Sequence, residues 1–420
     1  MDARSEPDAA SPAQPLAGYR VVDLTTFLSG PFCTQVLGDL GADVVKVEAP
    51  AGDSSRHIPP HFVGPDSAYF WATNRNKRSI AVNLKRPEGL ELLRRLIAEA
   101  DVVVENYRPG VLGRLGLDIE ATRAAHPRLV WASITGFGLD GPRRDRPAYD
   151  MIVQALSGVM SLTGEPGRPA ARLGIPAGDT VAGLYAAIAI NAALADRERT
   201  GRGRWIDVGM LDCQLAMLSY QSAYALIAGV TPPRQGAAHD SIPTYRSFAG
   251  ADGREFVVTA NTEKMWRAMC DVLDEPGLAD DARFADGRSR HTHREALWDR
   301  LNAAFARRDA EVWVDRLVEA GVPAAMIKDV PEALADARNA QRDMIRPVES
   351  PEGEPIELVG NPIHFHGAER PDDRRPPTLN GDLAEVLDEW LGASNAELAE
   401  LIESGAVRSP EAEASTEAHG

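Results

Sequence analysis

The sequence predicts an open α/β sheet followed by a smaller α+β region. Three observations predict it. Short apolar runs alternate with stretches of helical spacing from Arg20 to Ile134. The first strand–helix–strand unit is short, which implies a parallel pair with a right-handed crossover. After about Gly229 the alternation stops and helices dominate.

The elements follow in order. Arg20-Val-Val-Asp-Leu24 reads as the first strand. Gly30-Pro31 opens a helix, because proline fits the first helical turn, and Phe32, Val36, Leu37 and Leu40 recur at helical spacing. Gly41 stands where a helix ends. Asp43 to Val47 is the next strand, then Ser79 to Leu84, then a helix from Pro87 to Glu99 with Leu90, Leu93 and Ile97 on one face. Asp101 to Glu105 and Leu129 to Ile134 complete the run of strands. An apolar helix is expected from about Val181. Farther on, the turn Asp252-Gly253 precedes a strand at Glu255 to Ala260. Helices follow at Glu263 to Leu273, Arg294 to Ala306 and Ala310 to Ala320, and a last one at Leu383 to Leu391.

The chain has 420 residues, room for two or three domains of roughly 150 each. Its 62 acidic and 45 basic side chains leave a net charge of −17. That balance argues against a broad nucleic-acid surface, which needs a basic footprint. It leaves room for an anionic small molecule held by a few local Lys and Arg residues. Cys33, Cys213 and Cys270 are far apart and form no CxxC, which fits a reducing cytoplasm without a disulfide framework. No secretory leader is read at Met1 to Gln14, and Val181 to Ala195 is too interrupted for a membrane span. Residues 1–15 and 407–420 read as disordered tails.

The first βα turn, Thr25 to Pro31, lacks GxGxxG, so no dinucleotide site is supported. Gly201-Arg-Gly203, between a helix and a strand, reads as a tight turn. The pairs His291/His293 and His364/His366 lack supporting carboxylates or cysteines, so no metal site is expected. In Gly174 to Thr180, Asp179 follows a glycine-rich turn and precedes the apolar helix. Two readings stay open for it. One is an N-cap. The other is a reactive carboxylate at a helix N-terminus, with Gly178 admitting a substrate close to the backbone. Basic residues gather around Arg75 to Arg78, at Lys85 and from Asn106 to Arg114. Several fall at strand ends, where open α/β sheets bind ligands.

These segments carry a resemblance. Val21 to Glu48, Asn74 to Ser79, Glu105 to Gly116, Ser133 to Gly141, Ala177 to Gly183, Asp281 to Phe284 and Ala320 to Pro323 together resemble the family III CoA-transferases, in the right order and from about Leu16 to Val407. The resemblance implies a discontinuous Rossmann-like large domain (16–229 and 330–406), a small α+β domain (230–329) and an interlocked homodimer. It implies a cytoplasmic enzyme with acyl-CoA and a carboxylic acid as substrates and no tightly bound cofactor. Asp179 falls on the family nucleophile. Its carboxylate would form an acyl anhydride and then a CoA thioester, with N–H groups near Gly178 and Thr180 stabilising oxyanions. CoA contacts fall on Val82, Lys85, Asn106, Tyr107 and Arg114, and the Arg75 to Arg78 run would add to the phosphate field.

Departures from the family pattern narrow the chemistry. Formyl-CoA transferases carry His and Gln where this chain has Thr26 and Leu28, which argues against a formyl or oxalate substrate. The related α-methylacyl-CoA racemases carry a histidine base where this chain has Tyr149, which favours transfer over racemisation and leaves Tyr149 and Leu28 to shape the acyl site. The flavour is that of members using succinyl-CoA and dicarboxylic acids, for which Arg172 or Arg246 would pair with a second carboxylate. The alternatives are a racemase or epimerase, or a non-catalytic acyl-CoA-binding protein.

Overall fold

The computed structural model describes residues 14–368 and 370–409, so the expected tails lie almost wholly outside the described residues. Two compact units emerge within this range. One comprises residues 14–159, 173–222 and 341–409, and the other 160–172 and 223–340. The second unit thus begins at a short excursion, 160–172, that carries no composition change to mark it.

In the first unit, β1 (Arg20–Asp23), β2 (Asp43–Glu48), β3 (Lys77–Ala81), β4 (Val102–Glu105), β5 (Val130–Thr135) and β6 (Trp205–Gly209) form one six-stranded sheet. Every neighbouring pair is parallel, and the strand order is β3-β2-β1-β4-β5-β6. This is the doubly wound order, with its switch point between β1 and β4. Successive residues on a strand face opposite sides, and the core divides accordingly. Val21, Val44, Val102 and Val130 face α1 (Ser29–Asp39) and α4 (Ala177–Thr200). Val22, Val45, Val103 and Trp131 face α2 (Pro87–Ala98) and the late helix α8 (Leu383–Leu391). Runs apolar on both sides are what a buried parallel sheet requires.

The third strand starts at Lys77, two residues before its expected start, because its charges are paired inside. Lys77 lies 3.1 Å from Asp23, and Arg78 is paired with Asp43 and Glu389. Arg75 chelates Asp39. The run from Arg75 to Arg78 is therefore structural, which corrects its expected part in a phosphate field.

α4 starts at Ala177, with Pro176 at its N-cap. At 24 residues it is long and apolar enough to cross a membrane, but one side is buried in the core, where Ala182, Ala186 and Ile190 are fully covered. A Cβ on Gly183 would stand 2.6 Å from the Ser29 carbonyl oxygen, so the missing side chain lets α4 approach the start of α1. Gly201 ends the helix at φ 69°, and a Cβ on Gly203 would stand 2.0 Å from Leu129 O, which accounts for the GxG as a turn.

The second unit holds an antiparallel sheet of β7 (Tyr245–Ala249), β8 (Glu255–Thr259) and β9 (Ala324–Met326), with β8 in the middle. Helices α5 (Glu263–Val272), α6 (Arg294–Phe305) and α7 (Ala310–Glu319) supply its core, where Trp266, Phe305 and Trp313 are buried.

Candidate active site

The loops after β1 and β4 meet at the switch point. Asn106 accepts from the Thr26 N–H at 2.9 Å and donates to the Thr26 carbonyl at 2.8 Å. Over this junction opens a cavity of about 310 Å³, lined among others by Phe27, Asn106, Tyr107, Arg146, Tyr149 and Asp179. Four of the expected site residues, Asp179, Tyr149, Asn106 and Tyr107, are thus brought together.

Asp179 lies in the first turn of α4, not at its N-cap, and that helix has no side-chain cap. Among the described residues no hydrogen bond or ion pair reaches its carboxylate. Burial, and then the charge of Asp150, push its pKa up from 3.8 to about 7. Asp150 begins α3 (Asp150–Leu156) and takes the bond a cap would have made: the Gly178 N–H donates to Asp150 Oδ1 at 2.8 Å, and Gln154 donates to its other oxygen at 2.7 Å. Gly178 is required there, since a Cβ would stand 2.7 Å from Val153 and 2.9 Å from Asp150 Oδ1.

The Gly178 and Thr180 N–H groups are both committed within the protein, the latter to Pro176 O at 3.0 Å. Neither is left for an oxyanion, which corrects that expectation.

Leu28 is 9% exposed, packed at the N-cap of α1, and does not line the cavity; its neighbour Phe27 does. Phe27 meets Tyr149 edge-on, with ring centroids 6.1 Å apart. Val82 is buried in the core beneath β3 and shares that cluster with Tyr107, while Lys85 and Arg114 are exposed. None of these three lines the cavity. Lys85 follows β3, and Arg114 ends a short helix, Val111–Arg114, after β4, so both lie beyond strand ends on the sheet edge that carries the cavity. A second cavity of about 590 Å³ adjoins the first through Tyr107, Arg108, Pro109 and Arg144.

Arg172 and Arg246 belong to the second unit. The Arg246 guanidinium stacks 4.4 Å from the Trp298 ring centre, and its Nε donates to Ser247 O at 3.1 Å.

Three site residues were not singled out from the sequence. Asp150 was visible only as the neighbour of Tyr149. Tyr69 has its hydroxyl raised to about 12 by burial and then by Asp179, Asp150 and Asp53, which places it in the electrostatic field of the site. Asp53 accepts from the Phe27 N–H at 3.2 Å, and only the turn Gly52-Asp53-Ser54 hinted at it.

The model of CoA-transferase family III matches residues 16–383. Succinyl-CoA:glutarate CoA-transferase of Homo sapiens is 36% identical over 395 residues, 94% of this chain and 90% of that protein. Succinate–glutarate CoA-transferase of Agrobacterium fabrum is 38% identical over 382 residues, 89% of this chain and 95% of that protein. The crystal structure of a CaiB/BaiF family protein from Brucella suis superposes with a TM-score of 0.81 at 39% identity, covering 90% of this chain and 100% of that one. The chain belongs to CoA-transferase family III and is a CoA-transferase.

Proposed function

We propose that this enzyme moves CoA from succinyl-CoA, or another dicarboxylyl-CoA, to a free dicarboxylic acid, with Asp179 as the nucleophile. The observation that carries the reading is an unpartnered, largely buried carboxylate on a cavity at the switch point of the sheet. Relatives named for succinyl-CoA and glutarate support the substrate class.

The chemistry runs in balanced steps. The Asp179 carboxylate attacks the thioester carbonyl. The C–S bond breaks, leaving an acyl-aspartyl anhydride and CoA thiolate. The thiolate attacks the aspartyl carbonyl, and the donor acid leaves. The acceptor carboxylate then attacks the aspartyl-CoA thioester, breaking its C–S bond to leave a new anhydride and CoA thiolate, and the thiolate attacks the acceptor's acyl carbonyl to give the new acyl-CoA and free Asp179. Covalent catalysis divides one difficult exchange into easier ones. Burial supports this role, because it withdraws solvation from the attacking carboxylate and limits hydrolysis of both intermediates. A carboxylate with a pKa near 7 is also a better nucleophile than an ordinary one when it is ionised.

Tyr107 would pack against the CoA moiety, and Lys85 and Arg114 would serve its phosphates, as basic side chains do. The reading includes a homodimer, interlocked as in the family and working in the cytoplasm. Leu184, Tyr185 and Ile188 on the outer face of α4 are exposed in the single chain, and a second copy would cover them. The test is label exchange. Succinyl-CoA and labelled glutarate should yield labelled glutaryl-CoA with ping-pong kinetics, and Asp179→Ala should yield none. Transfer by Asp179→Ala at an undiminished rate would defeat the assignment.

A further inference from the structure

The loop after β1 takes a path that its sequence does not favour. Phe27 lies at φ 64°, a left-handed conformation that bulky residues avoid unless their surroundings over-determine it. Here they do. Lys46 Nζ donates to Thr25 O at 2.7 Å, Asn106 holds both polar groups of Thr26, and Asp53 Oδ1 accepts from the Phe27 N–H at 3.2 Å. Lys46 and Asp53 are themselves paired at 2.9 Å, with both side chains wholly buried. Asp53 is fixed in turn. Its Oδ1 accepts from the Ser55 N–H at 2.9 Å, and its own N–H donates to Glu48, which is paired with the buried Arg56.

A buried ion pair is weak evidence for stability, because desolvation rivals attraction and apolar replacements are often neutral. This pair does something an apolar pair cannot: it accepts one backbone N–H and donates to one backbone carbonyl of a loop that lines the Asp179 cavity. We propose that Lys46 and Asp53 are positioning residues for the acyl site. They hold Phe27 in its left-handed conformation and so fix the aromatic wall made by Phe27 and Tyr149. This rests on the reading of the cavity as the site of CoA transfer.

Two variants separate positioning from plain stability. Asp53→Asn removes the ion pair but keeps an oxygen for the Phe27 N–H and leaves Lys46 donating to Thr25 O. Lys46→Met with Asp53→Leu removes both the charge and the clamp. Transfer from succinyl-CoA to glutarate is measured alongside thermal melting. The first should keep kcat within about threefold of the natural enzyme, and the second should lose about 30-fold or more in kcat with little change in the KM for succinyl-CoA. Equal kcat in the two variants would overturn the proposal. If the leucine variant does not fold, amide exchange in the natural enzyme decides. The Phe27 N–H should exchange about 100-fold more slowly than an exposed amide, and exchange at the exposed rate would overturn the clamp. An enzyme that shows a protected Phe27 amide but transfers no CoA would defeat the functional reading and leave the clamp standing.

Discussion

Asp150 and Asp179 are linked through a single residue, Gly178. The N–H of Gly178, the residue before Asp179, donates to Asp150 Oδ1 at 2.8 Å. One carboxylate therefore stabilises the first turn of α4, and the other has no partner among the described residues. The charge that does the first job also raises the proton affinity of the second.

That coupling gives a pH prediction. With Asp179 at about 7, kcat/KM for acyl-CoA should rise with pH up to that point and then level off, because only the ionised carboxylate attacks. Asp150→Asn removes the like charge but keeps an oxygen for Gly178. Its midpoint should fall by about one unit and stay above the ordinary carboxylate range, since burial is the larger cause. Kinetics from pH 5 to 9 in both enzymes check this. An unmoved midpoint would separate the two carboxylates.

Stability should carry the opposite sign from that of a paired aspartate. The folded pKa of Asp179 lies above its ordinary 3.8, so its contribution is complete below about pH 4 and is lost as pH rises through about 7. Asp179→Asn should therefore be inactive yet more stable at pH 8, by on the order of 2 kcal/mol, with the gain disappearing towards pH 4. Urea unfolding at the two pH values measures it.

The helix contact at Gly183 predicts a steric cost. A Cβ there would meet the Ser29 carbonyl oxygen at 2.6 Å, a backbone atom that cannot rotate away. Gly183→Ala should lower stability by roughly 1–3 kcal/mol, read as a lower melting temperature. It should also lower kcat, because Ser29 lines the cavity.

The sheet was legible because its strands are short apolar runs separated by helical spacing, and the alternation of Val21 with Val22 or Val44 with Val45 serves two buried faces. Asp179 was legible as a carboxylate at the start of the apolar helix, but the capping role open to it is not what the fold uses: Pro176 takes the N-cap and Asp150 the hydrogen bond. Arg75, Lys77 and Arg78 misled for a physical reason. A run of basic residues reads as surface, and nothing local reveals partners such as Asp39, Asp23 and Asp43 that arrive from other strands and helices. Asp53 was hidden in the same way, since it acts on a loop far along the chain. Leu28 and Phe27 show the limit of register. The left-handed turn at Phe27 decides which of the two lines the cavity, and a non-glycine residue gives no local sign of it.

Asp179 is proposed to carry the group in transit. Incubation with succinyl-CoA and no acceptor, followed by acid quench and peptide mass mapping, tests it most directly. CoA should appear in thioester linkage on the peptide containing Asp179, hydroxylamine should free the CoA thiol and leave an aspartyl hydroxamate at that residue, and neither should form in Asp179→Ala. Sustained transfer with Asp179 unmodified, or the adduct on another residue, would contradict it.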